Sequence, residues 1–467
     1  MTLGERLSNG RYTVYHKLGH GGYSTVWLAY DEPEKRHVAI KVMAAVAEEL
    51  QKHTRGEIEM LRCINNLPGN HPGKSLMLSL LDSFVHEGPL GNHDCYVSVP
   101  QGYSIEAAQH DSGRLDCYFS ADVARAIAAQ LIIAVSFLHE NGIIHGDLTV
   151  GNFLLSPPDF DSLSPDQVCD KIGWPEECEI SLENGKAPPP GYPRVLVIPA
   201  RVGADCWDVE LRDAKITAVD FGLSWKPEDQ QRYSVFTPFL YRAPEAKFSE
   251  REQRPLDFHA DVWALGMMIY RVYSRGSILD YCPGEAGVWK STISMLGKPP
   301  QRWWDMWEDK SLYFHEDGEW ISDGEKRTYP LEERVMDWLE KKREGGMPDE
   351  EKEDLLDLLR KVLRWEPEER ASATELLKTD WMKKWGVPAL EAMYLARGED
   401  RDVRAEIALM TGTDKEGPAR WPVILRNPFS TLTLGPGSWL KRFSGGFGVA
   451  IDVRWWMRLK DVLGKLF

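Results

Sequence analysis

The chain changes periodicity partway along, and that change constrains its fold more than any other feature. Residues 11–43 read as short strands broken by glycine: Tyr12, Val14 and Tyr15 begin one, Thr25-Val26-Trp27-Leu28 form a second, and Val38-Ala39-Ile40-Lys41-Val42 a third. Residues 45–63 then carry helical spacing, with Leu50, Ile58 and Leu61 apolar among charges. A strong helical pattern over 121–140 contains Ala128, Leu131, Ile132, Val135 and Leu138, and helical patterns dominate from 255 to 385. A β-rich first 100 residues followed by a helical remainder predicts an α+β molecule of two lobes, about 11–98 and about 103–388. Residues 156–215 interrupt the second lobe with Pro157-Pro158, Pro165, Pro188-Pro189-Pro190 and Pro193, and read as a long proline-rich loop or insert. Residues 389–467 have a different composition and read as a C-terminal extension.

Charge and cysteine usage narrow the setting. Seventy-two acidic against 56 basic residues give a net charge of −16, which argues against general nucleic-acid binding and favours a basic partner or substrate. The acidity is concentrated in the insert and in the helical region 301–370, which has 22 acids and 13 bases. The 7 scattered cysteines form no CxxC pair and suit a reducing compartment. The segment MTLGERLSNGRY has no signal-type apolar core, and no run of about 18 uncharged apolar residues occurs. The expected location is cytoplasm, nucleus or both.

The chemistry is carried by an ordered series of motifs. Leu18-Gly19-His20-Gly21-Gly22-Tyr23-Ser24-Thr25-Val26 lies between two strands. Glycines there let backbone N–H groups approach phosphate oxygens, because no Cβ intervenes. Lys41, 15 residues after Val26, ends an apolar strand and needs a carboxylate partner. Glu57 on the following helix is the favoured partner, with Glu59 as the competitor. His145-Gly146-Asp147-Leu148-Thr149-Val150-Gly151-Asn152 places an Asn five residues after an Asp, the spacing of a phosphotransfer loop. Val219-Asp220-Phe221-Gly222, Tyr241-Arg242-Ala243-Pro244-Glu245 and Asp261-Val262-Trp263-Ala264-Leu265-Gly266 follow in turn.

Taken together and in this order, these residues resemble a eukaryotic protein kinase over roughly 11–385. The opening Asn9-Gly10-Arg11-Tyr12, Ser24 in place of the third loop glycine, and the 67 residues between Asn152 and Asp220 resemble the SR protein kinase (SRPK) group, especially its divergent fungal-type branch. The resemblance implies ATP and Mg²⁺ as cofactors, held by residues 18–26 and Lys41 on the phosphates and by Asn152 and Asp220 on the metal. It implies Asp147 as the group that accepts the substrate hydroxyl proton, and Lys41 paired with Glu57. It implies structural roles for His145, for Asp261 as a brace of the catalytic loop, and for Glu245 paired with Arg370. The implied activity is transfer of the ATP γ-phosphoryl to serine or threonine in basic, Arg/Ser-rich protein substrates.

Three departures qualify it. Gly146 stands where the family carries an arginine, so activity without activation-segment phosphorylation is expected, although Tyr233, Ser234 and Thr237 lie in that segment. Thr149 replaces a lysine that contacts the γ-phosphate. Ser98 falls at the gatekeeper position, an unusually small residue there, and Pro100 removes a hinge donor. A small-molecule phosphotransferase of the aminoglycoside or choline kinase type shares the His-Gly-Asp-Leu string, but Ala243-Pro244-Glu245 and Asp261 are foreign to it. Against a pseudokinase scaffold, the minimal transfer set of Lys41, Glu57, Asp147, Asn152 and Asp220 is present.

Other features have structural readings. Trp303, Trp304 and Trp307 are read as lobe packing, and the acidic run 349–354 as a solvated helix start. Residues 417–467 hold 8 basic and 2 acidic residues, and Val449, Val453, Trp456, Leu459, Val462 and Leu466 fall at helical spacing. Docking of this basic amphipathic segment on the chain's own acidic lobe is favoured over membrane contact.

Overall fold

The computed structural model describes residues 1–411 apart from 46–47, 90, 111–117, 181–187, 189–191, 275, 280–283, 318, 322–327, 337–338 and 340–345. All of them belong to one compact unit, Met1–Lys415. The basic amphipathic segment expected in the tail lies outside the described residues.

A six-stranded antiparallel sheet forms the first lobe. Its strands are β1 (Arg6–Leu7), β2 (Tyr12–His20), β3 (Ser24–Asp31), β4 (Arg36–Met43), β5 (Leu80–Gly88) and β6 (Gly91–Ser98). Their order is β1-β2-β3-β4-β6-β5. Alternation buries Leu7, Tyr12, Val14, Trp27, Ala29, Val38, Ile40, Cys95 and Val97 on one face as a single cluster. The opposite face of β4 turns Lys41 towards the helix Glu48–Asn66, whose Ile58, Leu61 and Ile64 are buried at the spacing of one helical face.

The second lobe is built around the helix Ala121–Glu140. Ser120 caps it by accepting from the Val123 N–H, and fifteen of its residues, Val123 to Leu138 without Arg125, are buried. It is the one described helix long and apolar enough to cross a bilayer, yet here it is the core of the lobe, packed on Phe258–Ser274. In that second helix a Cβ at Gly266 would lie 2.6 Å from Val362 Cγ2 and 3.0 Å from Leu363 Cδ2, so a glycine is required where it meets the end of a third helix, Asp349–Val362. Trp303, Trp304 and Trp307 join Phe248, Trp289, Ile293 and Phe314 in a separate aromatic cluster, the packing role expected of them.

The structure revises three readings. The insert is not only loop. It contains the helix Pro165–Ile172, closed by a Ser164/Gln167 capping box, and a strand pair, Glu177–Glu179 with Val195–Val197. It reaches back to the first lobe: Phe160, Val168 and Val202 bury Leu28, His16 Nε2 bonds the Gly173 carbonyl at 3.1 Å, and the Ala200 N–H donates to the Lys17 carbonyl at 2.8 Å. Composition marked the prolines but carried no information about which surface they would cover. The boundary drawn at 388/389 falls inside the helix Val387–Ala396, which packs on Ala121–Glu140 and is followed by Val403–Thr411. Buried Leu390, Met393 and Tyr394 tie it to the lobe. In the acidic helix start Asp349–Val362, Glu351 is not solvated: it is fully buried against the Arg125 guanidinium and accepts from Tyr273 Oη at 3.2 Å.

Candidate active site

Lys41 and Glu57 meet because β4 and the helix after it present facing sides. Lys41 Nζ donates to Glu57 Oε1 at 2.8 Å and Oε2 at 3.0 Å, and to Asp220 Oδ1 at 3.1 Å. Glu59, the competing partner, points to solvent. Burial by itself would lower the Lys41 pKa, but Glu57, Tyr96 and Asp220 carry it well above its ordinary value, so the ammonium stays protonated.

Tyr96 is the residue that motif reasoning missed. It is paired with Lys41 across β4 and β6, is 3% exposed, and donates its hydroxyl to Glu57 Oε1 at 3.0 Å. Its ring also lies under the ammonium, with Nζ 5.7 Å from the centroid. The signal was available in alternation: Tyr96 and Ser98 share a face of β6, and a tyrosine hydroxyl on a buried face needs an acceptor.

Asp220 approaches from the second lobe in the left-handed conformation, φ 63° and ψ 66°. A non-glycine residue held there is strained, and such strain concentrates at functional sites. Phe221 anchors the turn, buried with its ring 5.1 Å from that of His145. The Lys41 charge holds the Asp220 carboxyl below its usual range.

Asp147 lies on a loop held from behind. Asp261 accepts from the His145 N–H at 2.7 Å and the Gly146 N–H at 3.1 Å, the brace expected of it. Asn152 Nδ2 donates to the Asp147 carbonyl at 2.8 Å and to Oδ2 at 3.2 Å. The other carboxylate oxygen, Asp147 Oδ1, is buried with no hydrogen-bond partner. Burial pushes the Asp147 pKa up, His145 opposes this, and Asp220 adds to it.

Asn152 spends its Nδ2 on Asp147, which leaves its amide oxygen for a ligand. Asp220 keeps one carboxylate oxygen clear of Lys41 and has a half-exposed side chain. An amide oxygen and a carboxylate oxygen are donors that fit Mg²⁺, which takes one or two protein oxygens and fills its octahedron with water and phosphate.

The glycine hairpin pairs His20 with Thr25 across its tip, closed by the Gly21 N–H on the Ser24 carbonyl at 2.8 Å. A Cβ at Gly19 would meet nothing within 4 Å, so no protein neighbour demands glycine there. Tyr23 is exposed at the tip, while Leu18 packs on the insert cluster of Phe160, Val168 and Val202.

Gly146 has a steric reason. Its φ is +75°, and a Cβ would lie 2.5 Å from Trp225 Cζ3 and 2.7 Å from the Leu223 carbonyl. The Trp225 ring fills the space beside it, with Arg232 stacked at 4.7 Å and donating to Leu223 O at 2.7 Å. Thr237 is buried and donates to the Gly146 carbonyl at 2.8 Å. Arg370 bonds both oxygens of Glu245 at 2.7 Å.

A family profile described as "Protein kinase domain" matches residues 12–164 and 209–382, the two stretches on either side of the insert core. The chain belongs to the protein kinase family. The kinase is 42% identical over 154 residues to protein kinase dsk1 of Schizosaccharomyces pombe, an alignment covering 33% of this chain and 28% of that protein. It is 27% identical over 381 residues to a serine/threonine protein kinase of Aspergillus fumigatus, covering 80% of this chain and 84% of the other. It is also 28% identical over 388 residues to the serine/threonine-protein kinase SRPK of Physarum polycephalum, covering 79% and 85%. Within the family the kinase is SRPK-like, a protein-serine/threonine kinase by these relatives, as the motif series implied.

Proposed function

We propose that this kinase transfers the γ-phosphoryl of ATP to serine or threonine hydroxyls of basic protein substrates. The observation that carries the reading is the placement of Lys41 between Glu57 and Asp220, with Asp147 Oδ1 unpartnered on the facing loop. Phosphoryl transfer asks little covalent chemistry of a protein; it asks for positioning and charge. In this reading Lys41 holds the phosphates, and Glu57 and Tyr96 hold Lys41. The hairpin of residues 18–26 covers the phosphates with backbone N–H groups. Asp147 orients the acceptor hydroxyl and takes its proton. Mg²⁺, when bound at Asn152 and Asp220, neutralises charge on the phosphates.

The basic substrate class rests on the acidity of the insert and helical region and on the SRPK-type relatives. The small-molecule phosphotransferase reading gains nothing from the Glu245–Arg370 pair or the Asp261 brace, which build a peptide-binding lobe. A panel assay decides: radiolabelled ATP with an Arg-Ser-repeat peptide, an acidic peptide, an aminoglycoside and choline. Label in the Arg-Ser peptide is expected. Label only in a small molecule would refute the reading.

A further inference from the structure

Two histidines of the first lobe fasten the insert helix Pro165–Ile172 at its two ends. His37 on β4 bonds the Leu163 carbonyl through Nε2 at 2.8 Å, just before the Ser164 cap. His16 on β2 bonds the Gly173 carbonyl through Nε2 at 3.1 Å, just after the last turn. Both histidines are buried, as are Val168 and Cys169 of the helix. Each Nε2 faces a carbonyl and so carries the hydrogen, which makes each Nδ1 an acceptor. The two acceptors differ in what they face. His37 Nδ1 meets the Tyr15 hydroxyl at 2.7 Å, a group that turns from donor to acceptor when the ring gains a proton. His16 Nδ1 accepts from the Lys17 backbone N–H at 2.8 Å, which cannot turn. An acceptor within reach of a proton there is the Lys17 carbonyl, at 3.2 Å, and that oxygen already accepts from the Ala200 N–H of the insert at 2.8 Å. Burial lowers the His16 pKa, the Gly173 and Lys17 carbonyls work against it, and no charged side chain among the described residues acts on the ring. The charged neighbours are engaged elsewhere: the Lys17 ammonium lies over the Trp27 ring at 5.9 Å, Asp170 accepts from Trp174 Nε1 at 3.0 Å, and Lys171 donates to the Asp159 carbonyl at 3.3 Å. The strand that carries His16 runs on into the glycine hairpin, whose first residue, Leu18, packs with Leu28 against Phe160, Val168 and Val202 of the insert.

We infer that His16 is a proton-sensitive pin: on acidification it releases one end of the insert helix, and the nucleotide hairpin loses the surface that backs it. The inference rests on the kinase reading, which makes residues 18–26 the nucleotide hairpin. One proton adds to Nδ1, the Lys17 N–H loses its acceptor, and the charged ring competes with Ala200 for the Lys17 carbonyl. His37 stays bonded, so the helix remains tethered at its other end. A lowered histidine pKa favours the pinned state above the ordinary value, about 6.5, and that preference is lost as pH falls through the folded pKa. Nucleotide binds the pinned state better, so acid weakens nucleotide binding, and bound nucleotide resists protonation of His16 by the same factor.

The test titrates the full chain with a fluorescent ATP analogue and Mg²⁺ at about pH 7.5 and about pH 5.5, either side of the ordinary histidine value. His16→Gln keeps a side-chain N–H donor and removes the titrating ring. Its change in Kd over the interval is the baseline, because it includes titration of the nucleotide's own phosphates. The parent Kd should rise on acidification at least about fivefold more than that baseline, the low end of coupling between linked sites. His37→Gln should keep the parent's response. An equal response in the parent and His16→Gln, or a response lost in His37→Gln and kept in His16→Gln, would overturn the inference and leave the kinase reading intact. Absence of nucleotide binding at both pH values would overturn both. Should His16→Gln fail to fold, His16→Asn takes its place, and a parent Kd equal at the two pH values overturns the inference with no variant needed.

Discussion

Replacing Gly146 by alanine is a small chemical change with a large expected cost. The backbone there has φ +75°, and the new Cβ would sit 2.5 Å from Trp225 Cζ3 and 2.7 Å from a carbonyl oxygen. Holding a Cβ-bearing residue in the left-handed region costs about 1 kcal/mol. Forcing a methyl into filled space costs about 1–3 kcal/mol more. The total is about 2–4 kcal/mol, which at ~2 °C per kcal/mol for a large domain lowers Tm by about 4–8 °C. Because Thr237 and Asp261 both bond this residue, kcat should fall as well. Differential scanning fluorimetry and peptide phosphorylation read the two effects. Pairing Gly146→Ala with Trp225→Ala isolates the ring's share: the clash with Trp225 disappears in the double variant while that with the Leu223 carbonyl stays, giving a favourable coupling of about 1–3 kcal/mol. A Gly146→Ala protein as stable as the parent, or costs that add to within ~0.5 kcal/mol, would refute the packing argument. The same packing gives the expected independence from phosphorylation a physical basis, since Trp225 and Arg232 hold the segment without a phosphate. Activity should survive phosphatase treatment.

Three further outcomes are expected. Tyr96→Phe removes one donor to a buried carboxylate, worth about 1–2 kcal/mol, and should lower kcat about five- to thirtyfold with the fold intact by circular dichroism. Glu351→Gln removes the buried carboxylate and leaves the Arg125 guanidinium only the exposed Asp122, which it bonds at 2.8 Å; this should cost up to about 3–5 kcal/mol of stability in chemical denaturation, while the specific activity of the folded fraction is unchanged. His16 has its pKa lowered by burial, partly offset by the Gly173 and Lys17 carbonyls. A lowered His pKa gives stability that is present above the ordinary value, about 6.5, and is lost as pH falls through the folded pKa. Hydrogen exchange in residues 160–202, corrected for intrinsic rate, should therefore speed up on acidification in the parent and not in His16→Gln.

Much of the site could be read in the chain because its residues sit at short, fixed spacings. Asp147 and Asn152 are one loop apart, and the glycine hairpin is a local turn. Lys41 announced a partner, but spacing alone left Glu57 and Glu59 open; only the rotation of the helix on the sheet, which buries Ile58 and Leu61, turned Glu57 inward. What remained hidden depends on contacts distant in sequence. Glu351 looked like its solvated neighbours because nothing nearby shows that Arg125, 226 residues away, faces it. The insert's prolines marked a departure from regular structure, while its attachment to His16, Lys17 and Leu28 is a matter of surface fit. Gly146 could be seen as an exception, but its reason, the Trp225 ring, is tertiary.

The central claim is that Lys41, Glu57, Asp147, Asn152 and Asp220 form a phosphoryl-transfer site acting on protein hydroxyls. Its most direct test is transfer of ³²P from γ-labelled ATP to an Arg-Ser-repeat peptide by the purified chain, beside Asp147→Ala and Lys41→Met. Labelled phosphoserine from the parent, with both variants down by about 100-fold or more, the scale of losing a general base or a charge-stabilising group, is the expected result. An unlabelled peptide, or label made equally by Asp147→Ala, would contradict it.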